Sequence, residues 1–126
     1  VGHRVRVSAD LTLVQPEWVL LSQVMAYAAM RGWRAWHDRA TNTPRRCRDC
    51  GSYQRIPRNA PGFPDLVLLR ARHETPRIVV AELKAEGEKP TAAQRAYLED
   101  FAACGIETYI WTTSADDWED VKRILL

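Results

Sequence analysis

Cysteine is scarce in this chain, three among 126 residues. An odd number this small excludes a scaffold stapled throughout by paired disulfides and suits a reducing compartment. Lysine is equally scarce, 3 against 15 arginines. Long apolar runs are missing too. The longest uncharged stretch, Trp18 to Met30, is interrupted by Ser22, Gln23 and Tyr27 and is too short to cross a bilayer. Near the N-terminus, Gly2-His3-Arg4-Val5-Arg6 leads into no apolar run, so no secretory signal is expected. There is no internal repeat and no low-complexity segment. Together these absences predict a soluble, cytoplasmic protein with no membrane segment.

What is present is a globular composition. Apolar residues make up 46% and charged residues 27%, which excludes a disordered tail or a collagenous repeat. A chain of this length buries roughly two-thirds of its unfolded surface, enough for a core without disulfides or metal. Residues 1–126 are therefore read as a single domain.

The net charge of +2 hides an asymmetry. Residues 1–72 carry 12 basic and 5 acidic side chains, residues 73–126 carry 6 and 11. Between Arg39 and Arg58 there are six arginines and one acid, Asp49. The overall arginine excess is read as codon usage of a GC-rich genome. The cluster is read as phosphate contact, because a guanidinium forks onto phosphate oxygens and stacks on bases.

Pro16 at the first helical position, a stripe of Leu21, Val24, Met25 and Ala28, and a stop at Gly32 predict a helix. Trp33 to His37 reads as a strand. Residues 38–63, with Pro44, Pro57, Pro61, Gly51 and Gly62, read as an extended polar loop, carrying an arginine-rich insertion at about 39–63. Asp65–Ala71 and Arg77–Lys84 are β-rich, continuously apolar as in strands covered on both faces, and joined closely enough for an antiparallel hairpin. Thr91 and Gln94 form a capping box for a helix ending at Cys104-Gly105. Ile106–Trp111 is a strand, and Ser114 caps a last helix with core residues Trp118, Val121, Ile124 and Leu125. The order α-β-β-β-α-β-α places a parallel β-α-β step after the hairpin.

In that hairpin the start of one strand lies beside the end of the other, so Asp65 should meet Glu82 and Lys84. Alternation puts Glu82 and Lys84 on one face and Leu83 opposite. Two carboxylates beside a strand carbonyl make a hard-oxygen site for Mg²⁺ or Mn²⁺. A lysine one strand repeat away can hold a water and offset charge in a transition state. An ordinary strand-end salt bridge is the plainer reading, but it does not explain why these charges gather at one end of apolar strands.

Pro64-Asp65 followed by Glu82-Leu83-Lys84 resembles the PD-(D/E)xK nuclease motif. Gly62-Phe63-Pro64-Asp65-Leu66, Ala81-Glu82-Leu83-Lys84 and Thr91-Ala92-Ala93-Gln94 together, with Gly105 to Trp111 after the Gln-bearing helix, resemble the VRR-NUC branch of that superfamily. The resemblance runs from Glu17 onward and fails only in the arginine loop. It implies an α/β restriction-endonuclease-like core, α-β-β-β-α-β, with a central mixed sheet flanked by helices. It further implies metal-dependent hydrolysis of phosphodiester bonds in DNA, often branched or structured DNA. Stand-alone members of this size resemble phage and bacterial Holliday-junction resolvases of repair and recombination that act as dimers. A homodimer, in the host cytoplasm if phage-encoded, is thereby implied.

Glu17 is read locally as an acid favoured in a helix's first turn; the resemblance adds a part in the metal site. Gln94 is explained locally by its capping box; the resemblance adds a contact near Lys84. Cys47-Arg48-Asp49-Cys50-Gly51 is half of a zinc site, with no second pair in the chain. Zinc shared between two subunits, free thiols and a redox pair stay open for Cys47 and Cys50. Cys104 is expected to pack at its helix end.

The resulting expectation is an Mg²⁺-dependent endodeoxyribonuclease. Asp65, Glu82 and the Leu83 carbonyl would bind metal, Lys84 would orient water, and Glu17 and Gln94 would support the site. Arg45, Arg46, Arg48, Arg55 and Arg58 would hold the DNA backbone. The alternatives are a sequence-specific restriction-type nuclease or a non-catalytic nucleic-acid-binding module.

Overall fold

A computed structural model describes residues 15–37, 44–46, 48–51, 53–55 and 61–126 of the chain. Helix α1 (Glu17–Met30) begins one residue later than expected, with Pro16 as its N-cap. Leu20, Val24 and Ala28 form its fully buried line, and Leu21, Met25 and Tyr27 pack beside it. The buried stripe is thus rotated slightly from the expected one. Gly32, at φ +82°, ends the helix. Its N–H donates to Ala29 O and the Trp33 N–H donates to Ala28 O, which satisfies carbonyls the helix leaves open.

There follow β1 (Arg34–His37), β2 (Pro44–Arg46), β3 (Tyr53–Arg55), β4 (Leu66–Arg70), β5 (Arg77–Lys84), α2 (Ala92–Ala103), β6 (Glu107–Thr112) and α3 (Ala115–Ile124). Four strands form one mixed sheet in the order β1-β4-β5-β6. The pairs β1–β4 and β4–β5 are antiparallel, whereas β5–β6 is parallel. The parallel pair is joined through α2, as the long crossover of a parallel step requires. This is the expected mixed sheet flanked by helices, as in PD-(D/E)xK-like folds.

Strand period divides the sheet into two faces. Leu66, Leu68, Val79, Ala81, Leu83 and Trp111 pack with Leu20, Val24, Ala28, Val121 and Leu125 in the main core, between the sheet and helices α1 and α3. Val80 points to the other face, where α2 lies against β5 and β6 with Leu98 buried. Phe63 meets Trp36, Tyr97 and Phe101 edge-on there, at centroid distances of 5.8, 5.5 and 6.0 Å.

Two expectations need correction. Residues 38–63 are not simply a loop, because β2 and β3 pair antiparallel within them, with Arg45 opposite Gln54 and Arg46 opposite Tyr53. Arg48, Asp49 and Cys50 form the turn of that hairpin. The strands β4 and β5 are not covered on both faces along their length either. Leu69 and Ile78 are exposed, a cross-strand pair at the end of the hairpin away from Asp65 and Glu82.

The opposite end of the sheet is tied by arginines. Arg70 lies over the Trp33 ring at 4.4 Å and Arg77 at 5.2 Å. Arg70 Nη1, the Trp33 indole N–H and Arg77 Nη1 donate to the carbonyls of Leu126, Leu125 and Ile124, which closes the last turn of α3. Arg77 also makes a two-pronged bond to Glu107 at 2.7 Å on each side, which holds the Glu107 carboxyl below its ordinary range. Among the described residues no helix is long and apolar enough to cross a membrane.

Candidate active site

The site is built by unequal strand lengths. Leu66 pairs with Ala81 at the last rung of the β4–β5 ladder, while β5 continues through Glu82, Leu83 and Lys84. The Leu83 N–H therefore points past the start of β4. Asp65 takes the place of the missing strand, its Oδ2 accepting that N–H at 2.8 Å. A backbone donor that would otherwise lack a ladder partner is satisfied by a carboxylate, and this bond sets Asp65 beside Glu82.

What delivers Asp65 to this point is the segment before it. Gly62 has φ +90°, and a Cβ there would lie 2.6 Å from the backbone carbonyl carbon of Ala93 and 2.8 Å from its Cβ. Only glycine meets both demands, the left-handed backbone and the close approach. Ala93 is fixed in turn by the capping box of α2. The Thr91 N–H donates to Gln94 Oε1 at 2.8 Å and the Gln94 N–H to Thr91 Oγ1 at 3.2 Å. Gln94 thus acts first as a cap whose geometry reaches Asp65 through Ala93 and Gly62. Pro64, fully buried, completes the approach without bringing an N–H that needs a partner.

Glu82 is the unusual member. It is 1% exposed, and among the described residues its Oε1 has no hydrogen-bond partner. Burial, the neighbouring Asp65 charge and a hydrogen-bonding contact with Asp65 push its carboxyl up to about 8. Lys84 opposes this, with Nζ 3.5 Å from Glu82 Oε2 and a side chain 12% exposed. A single ammonium at that distance does not offset the burial of Glu82 together with the second carboxylate beside it.

Glu17 stands at the start of α1, half-buried, and its carboxyl is also raised, by burial and then by Asp65. It lines a cleft of about 320 Å³ with Trp18, Leu21, His37, Asp65 and Leu83. Sequence reasoning missed His37 and Trp18 in this wall. The available signal for His37 was its place as the last residue of β1, opposite Leu66 and so beside Asp65.

The donor set fits a hard divalent cation. Glu82 Oε1 is a buried oxygen without a partner, and Asp65 supplies a second anionic oxygen source beside it. Among the described residues no group of three or more His, Cys, Asp and Glu gathers to hold a metal. Mg²⁺ does not need one, since it commonly takes one or two carboxylates and completes its shell with water and substrate phosphate.

The VRR-NUC domain family model matches residues 22–115. The chain belongs to the VRR-NUC family. No curated protein and no solved structure matches it. VRR-NUC membership makes the chain a nuclease-type domain with DNA as its substrate, in a family that typically uses divalent metals. The matched stretch includes Asp65, Glu82, Lys84 and Gln94, whereas Glu17 and Trp18 lie just before it.

Of the remaining expected residues, Arg48 and Cys50 are exposed in the β2–β3 turn. Arg45, Arg46 and Arg55 lie on that hairpin's strands, with side chains outside the described residues, as are Cys47 and Arg58 altogether. Cys104 is exposed at the C-cap of α2 rather than packed.

The dependence of Asp65 on Gly62 is testable against an internal control. Gly62 and Gly87 share φ +90°, but nothing lies within 4 Å of a Cβ at Gly87. Gly87→Ala is expected to cost the backbone strain alone, about 1 kcal/mol, and Gly62→Ala about 2 kcal/mol more from the clash with Ala93. Urea denaturation of the two variants measures the difference. Equal losses would exclude the close approach as the reason for the glycine.

Proposed function

We propose that the chain is a divalent-metal-dependent endodeoxyribonuclease whose metal is held by Asp65, Glu82 and the main-chain carbonyl of Leu83. The observation that carries this reading is the buried, partnerless Glu82 oxygen beside Asp65. A strand residue's N–H and C=O leave on the same side, so the Leu83 carbonyl shares the edge at which Asp65 accepts the Leu83 N–H. Mg²⁺ or Mn²⁺ bound there supplies Lewis-acid polarisation of the scissile phosphate and a more acidic water.

The chain's own residues do the rest. Lys84, tethered to Glu82, orients the attacking water and offsets the charge that develops on the phosphate. Glu17 adds negative charge at the mouth of the cleft and draws the cation, while Gln94 holds the N-terminus of α2 against Gly62. Arg45, Arg46, Arg48, Arg55 and Arg58 grip the DNA backbone from the insertion, independently of sequence. A zinc ion shared by two subunits through Cys47 and Cys50 would join two such hairpins. The protein acts in the cytoplasm, on branched DNA of the Holliday-junction type, in repair or recombination.

Asp65→Ala, Glu82→Ala and Lys84→Ala are each expected to lower cleavage at least about 10²–10³-fold while leaving the fold intact, and EDTA should abolish it. The two carboxylate variants should bind DNA no more weakly than wild type without metal, since Asp65→Ala removes a charge that repels phosphate and Glu82, its carboxyl pushed up to about 8, has little charge to lose at neutral pH. Gel assays with linear, flapped and four-way DNA read both quantities. Wild-type cleavage by Glu82→Ala, or full activity in EDTA, would overturn the metal assignment.

The insertion's role has a separate signature. Replacing Arg45 and Arg46 together by glutamine should weaken binding to unrelated sequences alike and reduce the salt dependence by about two units of slope at most. If the double variant instead changes which sequence is cut, the insertion reads bases and the restriction-type alternative stands.

Resolution of a four-way junction needs two symmetric nicks, which a two-fold dimer supplies with one site on each opposing strand. Light scattering at micromolar protein is expected to give a dimer, and two copies per junction. A free mass near 14.4 kDa with one copy per junction would exclude the dimer and leave the nuclease reading in place.

A further inference from the structure

Trp18 follows Glu17 in the first turn of α1 and lines the same cleft as Glu17, His37 and Asp65. Its side chain is 68% exposed, and among the described residues no other ring touches it. The contrast with Trp36 is informative. Trp36 is 48% exposed, yet Phe63 holds it edge-on at 5.8 Å. Trp18 contributes to no such cluster.

An indole left in water beside a phosphate-cleaving site presents a broad apolar face, whose complement in DNA is the face of a base. It carries no charge to attract the backbone, and Glu17 beside it repels phosphate. Inside a continuous duplex both faces of each base are covered by neighbours, so the indole can stack only on a base that has left the helix. A base already unpaired costs least to present in that way.

We propose that Trp18 stacks on the base of an unpaired nucleotide next to the phosphate held at Asp65 and Glu82. The cleft then favours DNA in which a strand is splayed at the cut over continuous duplex. This deepens the nuclease reading above and rests on it for the location of the phosphate. Trp18 is a positioning and specificity residue, since its ring meets the substrate's base and not the reacting atoms.

The test deletes the contact from either side. Fluorescence anisotropy in EDTA measures binding of wild type, Trp18→Ala and Trp18→Phe to a labelled splayed-arm DNA. A second DNA has abasic residues at its first three unpaired positions. Removing the bases is expected to weaken wild-type binding roughly 5- to 100-fold. Trp18→Ala should show the same loss on the intact DNA and no further loss on the abasic one. Trp18→Phe should retain most of the affinity, and thermal melting of both variants should match wild type.

Three outcomes overturn the proposal. They are wild-type binding that ignores the abasic residues, a Trp18→Ala loss that persists in full on abasic DNA, and a melting temperature lowered as for a packed core residue. Binding in EDTA does not depend on hydrolysis. A protein that shows the expected stacking cycle but cleaves no DNA in Mg²⁺ would refute the nuclease reading alone. One that cleaves and loses activity on Glu82→Ala, yet ignores the abasic residues, would refute the stacking alone.

Discussion

The hydrogen bond from the Leu83 N–H to Asp65 is the constraint on which the site depends. It exists because β4 begins three residues too late to pair with the end of β5. If β4 began earlier, a backbone carbonyl would take that N–H and Asp65 would have no reason to turn inward. The same end of the hairpin buries Glu82 beside Asp65, where burial and the neighbouring charge disfavour its ionised form. A buried carboxylate next to another carboxylate costs several kcal/mol unless a cation compensates. The fold tolerates that cost because the surrounding strands are held from elsewhere, by the core shared with α1 and α3 and by the arginine clasp on Trp33. Stability and chemistry are therefore placed at opposite ends of one hairpin.

That separation explains what the sequence made legible. Asp65, Glu82 and Lys84 could be brought together from strand period and hairpin direction alone, because all three lie on elements adjacent in sequence. Gly62 was visible only as part of a motif. Its physical reason, contact with Ala93, joins the hairpin to a helix thirty residues later and has no local signal. His37 and Trp18 were missed for a similar cause, since the cleft wall comes from β1 and α1 meeting across β4. The β2–β3 hairpin escaped because Pro44-Arg45-Arg46 and Tyr53-Gln54-Arg55 show no alternation of apolar and polar residues. Periodicity reports only alternating faces, and three-residue strands of this composition offer none.

The arginine tally also changes meaning once the fold is known. Arg70 and Arg77 counted toward the basic half and the acidic half of the chain respectively, yet both are engaged in stacking on Trp33 and closing α3. They are structural charges with no guanidinium to offer a phosphate. The basic excess free for a polyanion is correspondingly concentrated in the insertion between β1 and β4. Its attachment points matter more than its length. The segment departs from His37, in the wall of the cleft, and returns at Gly62, three residues before Asp65. Both ends of the arginine-bearing segment are thus pinned at the mouth of the acidic site. On the proposed reading, phosphates drawn by those guanidinium groups would be held near the carboxylates that otherwise repel them. A polyanion and a pair of buried acids can share one small surface only if positive charge is supplied from both sides, which on the proposed reading is a cation within and the insertion's arginines around.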